Sequence, residues 1–107
     1  MPPDFSSDLS VAQEYKRRVE DAFEGRVAKM VLFGSRARGE AHEESDWDIA
    51  VFLNGEPTAA DLDRLSDLGT DLLYETGQFI QALPLARRRL DEDSNLLRAI
   101  RSEGLSL

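Results

Sequence analysis

Cysteine is absent from this chain of 107 residues, and tryptophan and histidine each occur only once. Without cysteine the chain can form neither disulfides nor thiolate metal sites, and it has no thiol nucleophile. No apolar run approaches the roughly 18 residues that cross a membrane, and no charged segment followed by an apolar one resembles an export signal. We therefore expect a cytoplasmic protein that is not associated with a membrane.

Positive charge is also scarce, since 13 Lys and Arg stand against 21 Asp and Glu, for a formal net charge of −8. Binding to a nucleic-acid backbone depends on cationic contacts, so this balance argues against nucleic acid as a partner. It favours a small triphosphate that arrives with its metal ion, or a protein with a basic surface. The local exception is Arg87-Arg88-Arg89, which predicts either a solvated face or a contact with an acidic acceptor, an RNA or a partner protein.

Apolar periodicity and turn residues predict one domain over residues 1–107, with 1–7 as a frayed terminus. The predicted order is αβαβαβα, which indicates an α/β (α+β) fold with a small mixed sheet of three or slightly more strands flanked by helices. The predicted helices run from Ser6 or Ser7 to about Glu24, over 35–38, from a Thr58/Asp61 capping pair to about Thr76, and over about 93–103. The predicted strands are 27–33, 47–53 and 78–83. Pro84 is predicted to stop the last of these strands. The inward positions predicted for the last two long helices are Leu62, Leu65, Leu68 and Leu72, then Leu96, Leu97 and Ile100.

Two aspartates, Asp46 and Asp48, open the second predicted strand. Residues i and i+2 of a strand lie on the same face, so the two carboxylates would lie side by side while Trp47 packs on the other face. Two such groups repel each other and are costly to bury unpartnered. A divalent cation between them removes both costs, and carboxylate oxygens suit Mg²⁺ or, as an alternative, Mn²⁺. The competing interpretation is a pair of solvated aspartates at a strand start.

A Gly-Ser turn, Gly34-Ser35, follows the first predicted strand. Its backbone N–H groups and the serine hydroxyl can bind phosphate oxygens, and glycine lets the backbone approach closely. Arg36 and Arg38 follow and can form charge-assisted hydrogen bonds with phosphates, or lie on the surface and balance nearby glutamates. An aspartate pair beside such a turn indicates nucleotide chemistry.

Taken together, Gly34-Ser35, Ala37-Arg38-Gly39 and Asp46-Trp47-Asp48 resemble the signature of the minimal nucleotidyltransferases of the DNA polymerase β superfamily. The motif covers residues 31–53, and the predicted order of elements extends the resemblance across most of the chain. The resemblance implies the nucleotidyltransferase fold. It also implies transfer of a nucleoside monophosphate from ATP or another nucleoside triphosphate to an acceptor, with Mg²⁺ as the cofactor.

The resemblance further implies a third carboxylate on the third core strand, which helps to bind metal and can accept the proton of the attacking hydroxyl. The polar interior position of that strand is Gln81 here. Glutamine can offer an oxygen to a metal but is not a general base at neutral pH, and losing general-base assistance costs about 10²–10⁴ in rate. Asp71 and Glu75, on the preceding helix, are the alternatives for that role.

A domain of this size leaves little room for recognising an acceptor, which predicts a hetero- or homo-oligomer. The resemblance implies a HEPN-domain ribonuclease toxin as partner and substrate, with AMP placed on a tyrosine hydroxyl by the transferase acting as antitoxin. The alternative hypothesis is a catalytically weak or inactive pseudo-nucleotidyltransferase that neutralises or modulates a partner by binding alone. Leu105 and Leu107 would either cover a partner or pack back on the domain. Polymerase-like activity is not expected, because there is no extended basic groove for a primer.

Overall fold

Helices and strands alternate along residues 9–39 and 46–107, the part of the chain that the structure, a computed structural model, describes. The helices are α1 Ser10–Phe23, α2 Ser35–Arg38, α3 Ala59–Thr76 and α4 Asn95–Glu103, with a 3-10 helix at Arg87–Asp91. The strands are β1 Val27–Phe33, β2 Trp47–Leu53, β3 Ile80–Ala86 and β4 Leu105–Ser106. Among the described helices, none is both long and apolar enough to cross a membrane.

The four strands form one mixed sheet in the order β3-β2-β1-β4. β2 pairs antiparallel with β1 and parallel with β3, and β4 pairs antiparallel with the other edge of β1. The predicted mixed sheet flanked by helices is thus confirmed. β4 was not predicted, because a strand of two residues carries no periodicity; it places Leu107 against the main core of its own chain, while Leu105 stays 41% exposed.

Helices cover both faces of the sheet, which explains the unbroken apolar run of β2. On one face, α1 and α3 pack against Ile49, Val51 and Leu53. On the other face, α4 packs against Ala50 and Phe52. Because successive strand residues point to opposite faces, Asp48 shares the α4 face and Trp47 lies on the face of α1 and α3.

Two of the leucines predicted to face inward do not do so. Leu62 is 44% exposed and Leu96 is 38% exposed, whereas Leu65, Leu72, Leu97 and Ile100 are buried. Successive helix positions lie about 100° apart, so a residue next to a buried one falls beside the apolar stripe. Leu62 follows Asp61, which occupies the inward position of the first turn of α3, and Leu96 precedes Leu97.

The prediction that Pro84 stops the third strand is wrong, since β3 continues to Ala86. Trp47 N donates to Phe79 O, so the odd-numbered residues of β3 direct their backbone groups towards β2. The nitrogen of Pro84 therefore faces away from β2, on the edge of the sheet, where a missing N–H costs no ladder hydrogen bond.

The predicted boundaries of the first and last helices differ in detail from the described ones. α1 is described from Ser10, and the predicted caps Ser6 and Ser7 lie outside the described residues, as does the predicted loop 40–45. α4 begins at Asn95, after Ser94, whose side chain accepts a hydrogen bond from Leu97 N. Helix ends are the least sharply encoded parts of a sequence pattern.

The arginine run lies in the 3-10 helix, where two of its members have acidic partners within the chain. Arg88 pairs with Glu56 at 2.6 Å, and Arg89 pairs with Glu92 at 2.7 Å. These contacts favour the simpler of the two interpretations, a charged and solvated face.

The predicted capping pair at the start of α3 is confirmed and has a third member. Thr58 Oγ1 accepts from Asp61 N at 3.1 Å, and Asp61 Oδ2 accepts from Thr58 N at 3.0 Å. Both carboxylate oxygens of Asp61 also accept from Arg26, at 2.8 and 2.9 Å. The Arg26 guanidinium, followed by the Thr58 N–H, holds the pKa of Asp61 well below its usual range. Asp61 thus joins the start of β1 to the start of α3.

Replacing Asp61 by Asn is expected to lower the free energy of unfolding by about 2 kcal/mol at pH 7, because it removes a charge-assisted pair of hydrogen bonds. A carboxyl whose pKa is depressed by folding stabilises the protein above its unfolded pKa of about 3.9, and this contribution is lost as the pH falls through the folded pKa. The difference between wild type and Asp61→Asn should therefore narrow in urea unfolding below about pH 4. Asp63→Asn, at an exposed position of the same helix, is the control. A difference in the free energy of unfolding that stays constant with pH would contradict the role of the ion pair.

Candidate nucleotide and metal site

Three chain segments meet at one end of the sheet, where β1 ends and where β2 and β3 begin. The Gly34-Ser35 turn directly follows β1, and Asp46 directly precedes β2. The antiparallel register places Phe33 opposite Asp48, and the parallel register places Gln81 beside Asp48 on the other side. The sheet register therefore brings together the turn, the aspartate pair and Gln81.

Gly34 is in direct proximity to the carboxylate of Asp48. Its backbone has φ 76° and ψ −159°, a region that residues with a side chain rarely adopt. A Cβ at this position would overlap Asp48 Oδ2. Gly34 O also accepts hydrogen bonds from Ala37 N and Arg38 N, which start α2. Glycine is required here both for the turn and for the approach of the aspartate.

The two aspartates lie close enough to influence each other electrostatically. Asp46 is exposed and Asp48 is partly buried. Burial raises the pKa of Asp48, the negative charge of Asp46 raises it further, and Arg38 opposes the rise. A cation between the carboxylates would remove the repulsion.

The oxygen ligands of this site fit a hard divalent cation whose coordination sphere is completed by a substrate. Within residues 9–39 and 46–107, no three His, Cys, Asp or Glu side chains are grouped as a ready-made metal site. Mg²⁺ is commonly bound through one or two carboxylates together with substrate phosphates and water. Two aspartates beside a Gly-Ser turn meet that requirement, and the carboxamide of Gln81 is on the neighbouring strand.

The two predicted arginines occupy different environments. Arg38 is partly exposed and forms an ion pair with Glu103 of α4, with 3.2 Å between Nη1 and Oε2. Arg36 is only 9% exposed, and its guanidinium carbon lies 4.2 Å from the centroid of the Trp47 ring. Its Nη2 donates to Gln78 Oε1 at 3.2 Å. Burial lowers the pKa of Arg36, and the charge of Asp46 opposes this.

Neither alternative carboxylate is placed near Asp48 on its own face of the sheet. Asp71 and Glu75 belong to α3, which packs on the opposite face. Glu75 Oε2 forms an ion pair with Arg18 of α1 at 2.7 Å.

Sequence reasoning missed Gln78, which accepts hydrogen bonds from Arg36 and from Trp47. It follows the glycine that ends α3 and precedes a buried strand, and no local pattern marks a residue there as part of a site. Trp47, predicted to pack, is 1% exposed, and its indole N–H is hydrogen-bonded to Gln78.

Comparison with known proteins gives concordant results. A family model described as the nucleotidyltransferase domain matches residues 12–97. A candidate protein adenylyltransferase of Methanocaldococcus jannaschii, MJ0604, is 39% identical over 71 residues, which cover 66% of this chain and 66% of that protein. The chain thus spans just under two thirds of the length of this relative.

Two solved structures extend the comparison to the fold. One, a candidate minimal nucleotidyltransferase, is 27% identical with a TM-score of 0.59, and the match covers 97% of this chain and 100% of the other. The second is a Shewanella oneidensis complex of a tri-AMPylated HEPN toxin with an MNT antitoxin, where the match has a TM-score of 0.53 at 15% identity and covers 90% of this chain and 70% of the other. The second likeness concerns the fold alone.

Proposed function

The chain belongs to the nucleotidyltransferase domain family, and from this premise we propose that it transfers AMP from ATP, with Mg²⁺, to a hydroxyl of a partner protein. We propose further that it acts as the antitoxin of a HEPN ribonuclease toxin. The named activity of the M. jannaschii relative supports the proposed transfer of AMP, and the fold shared with the S. oneidensis complex supports the proposed antitoxin role. Within this chain, the proposal depends on the close approach of Gly34 to the Asp48 carboxylate.

In this proposal Asp46 and Asp48 hold Mg²⁺, and Ser35 binds a β- or γ-phosphate oxygen together with backbone N–H groups of the turn. The metal, when bound, neutralises charge on the triphosphate. Arg38 is partly exposed and can turn from Glu103 to a phosphate, because a solvated ion pair stabilises the fold by only about 0–1 kcal/mol. The aspartates must be oriented towards one cation, and the location of Asp46 directly before β2 and of Asp48 within it, beside the turn, serves this need. A bound cation would also favour the ionised form of Asp48, which burial and the charge of Asp46 disfavour.

During transfer, the acceptor oxygen forms a bond to the α-phosphorus of ATP, the bond to the β-phosphate oxygen breaks, and pyrophosphate leaves. The acceptor hydroxyl also loses its proton, which passes to water. Gln81, beside Asp48, can orient the acceptor or offer an oxygen, but it cannot take that proton at neutral pH. We therefore expect transfer to be about 10²–10⁴-fold slower than with a carboxylate at this position.

One observation favours the second candidate function, a pseudo-nucleotidyltransferase that neutralises or modulates its partner by binding alone. The residue beside Asp48 on β3 is a carboxamide, and Asp71 and Glu75 are on a helix that packs on the other face. Under this hypothesis nucleotide chemistry is dispensable and the contact surface is what acts.

The test is label transfer from α-labelled nucleoside triphosphates in lysate of the native host, with Mg²⁺ and with EDTA. The transferase hypothesis predicts one labelled protein that requires Mg²⁺ and is labelled best from ATP, and mass spectrometry would identify the modified hydroxyl. Absence of label with every triphosphate, combined with capture of a HEPN protein from the same lysate, would support the pseudo-nucleotidyltransferase. Labelling of RNA instead of protein would overturn both.

A further inference from the structure

A single carboxamide oxygen joins two side chains beneath the candidate site. Gln78 Oε1 accepts from Trp47 Nε1 at 2.9 Å and from Arg36 Nη2 at 3.2 Å. The indole N–H and the guanidinium are donors only, so the group between them has to be an acceptor. This fixes the orientation of the Gln78 amide on chemical grounds.

These three residues belong to the three segments that carry the candidate site. Arg36 is adjacent to the Gly-Ser turn, Trp47 separates the two aspartates, and Gln78 precedes the strand that carries Gln81. Arg36 and Gln78 are 42 residues apart, and Trp47 and Gln78 are 31 apart. A displacement of the Gln78 oxygen would therefore act on the turn and on the aspartate pair together.

The Gln78 side chain extends from a backbone that is itself well held. Gln78 N donates to Thr76 Oγ1 at 3.1 Å, and Thr76 Oγ1 donates to Leu72 O at 2.7 Å. Gly77, with φ 75°, ends α3 and donates to Leu73 O. The carboxamide is therefore presented from a fixed point at the end of the longest described helix.

Arg36 is unusual because a guanidinium is almost wholly buried there. It is 9% exposed and stacks on Trp47 at 4.2 Å. Burying a charge is unfavourable unless it is paired and hydrogen-bonded. If the position of Arg36 served only for packing, an apolar side chain would therefore stabilise the fold more. The stacked guanidinium and its acceptor instead fix direction as well as distance.

We propose that Gln78 is a positioning residue for nucleotide binding and transfer, which holds Arg36 and Trp47 so that the Gly-Ser turn and the two aspartates face one Mg²⁺-nucleotide. Arg36 acts in this arrangement through Trp47 and Gln78, not as a phosphate ligand. The inference rests on the proposed function, because it concerns the same site.

The test compares Gln78→Met with Gln78→Glu, because both side chains have about the length of glutamine and only Glu keeps an acceptor oxygen. ATP affinity is measured by calorimetry with Mg²⁺ and with EDTA, and transfer is measured with the labelled acceptor. We expect Gln78→Met to weaken Mg²⁺-ATP binding about tenfold and to slow transfer about 10²-fold, as a small displacement of reacting groups does. Gln78→Glu should recover most of both, and Gln13→Met, at an exposed position of α1, is the control for the substitution itself.

Trp47 emission provides a readout besides activity, because the chain has one tryptophan. Gln78→Met should shift the emission maximum, since it removes the acceptor of the indole N–H, whereas Gln78→Glu should not. A shifted spectrum with wild-type Mg²⁺-ATP affinity and transfer would overturn the positioning role and leave the proposed function intact. Wild-type protein that neither binds Mg²⁺-ATP nor transfers label would overturn the proposed function and the inference with it.

If Gln78→Met fails to fold, Trp47→Phe tests the same contact, because it keeps an aromatic ring for Arg36 and removes the N–H donor together with one ring of the indole. We expect a smaller loss, about threefold in Mg²⁺-ATP affinity and tenfold in transfer. Wild-type values for this variant would overturn the inference.

Discussion

The Asp48→Asn variant is expected to lose nucleotide transfer by at least about 10³-fold, because a neutral amide oxygen binds Mg²⁺ much more weakly than a charged carboxylate does. Its stability should change in the opposite direction. Burial and the charge of Asp46 raise the pKa of Asp48, so the folded state disfavours the ionised form. A raised folded pKa means that ionised Asp48 lowers stability at pH 7, well above its unfolded pKa of about 3.9. An asparagine of the same shape removes this cost, and thermal unfolding should occur at a higher temperature.

Opposite changes in activity and stability distinguish a metal ligand from a residue that merely supports the fold. Asp67→Asn, at an exposed position of α3, is the matched control and should leave both quantities unchanged. Asp46→Asn should also abolish transfer. Unchanged neutralisation of the partner by the Asp48→Asn variant would show that the antitoxin works by contact alone. Transfer at the wild-type rate would exclude Asp48 as a metal ligand.

The parts of the fold that the sequence predicted are those encoded over a few neighbouring residues. β1 and β2 contain the apolar runs 30–33 and 49–53, each followed by a turn with glycine, and α3 begins at a capping pair whose two members are three residues apart. Pro84 could not be interpreted locally, because its effect depends on whether β3 is an edge strand and on which side its nitrogen faces. β4 forms only because β1 offers it an edge.

The candidate site also has parts that could be predicted from neighbouring residues and parts that could not. Strand geometry alone predicts that Asp46 and Asp48 lie side by side, and the register places Gln81 next to Asp48. Gln78 was not predictable, because its partners are distant in sequence and meet it only when α2, β2 and the end of α3 are packed together. Arg36 could be a phosphate ligand or a surface residue by sequence, and its burial on Trp47 depends on the same packing.

Replacing Gly34 by Ala is expected to lower the free energy of unfolding by about 2–3 kcal/mol and to abolish Mg²⁺-ATP binding. Two effects act together. The backbone, at φ 76° and ψ −159°, lies in a region available almost exclusively to glycine. The new Cβ would also overlap the carboxylate oxygen of Asp48 and push it away from the turn. Urea unfolding and calorimetry with Mg²⁺-ATP measure the two losses.

Gly39→Ala is the matched control, because Gly39 also has a positive φ of 74° but nothing lies within 4 Å of the added Cβ. It should cost only the backbone strain, about 1 kcal/mol, and should keep nucleotide binding. The double variant Gly34→Ala/Asp48→Ala separates strain from overlap, since the remaining Asp48 Cβ would lie at 3.5 Å, an ordinary contact. We expect a coupling free energy of about 1 kcal/mol between the two positions. Zero coupling would mean that Asp48 has room to move, and that the turn does not fix the position of its carboxylate.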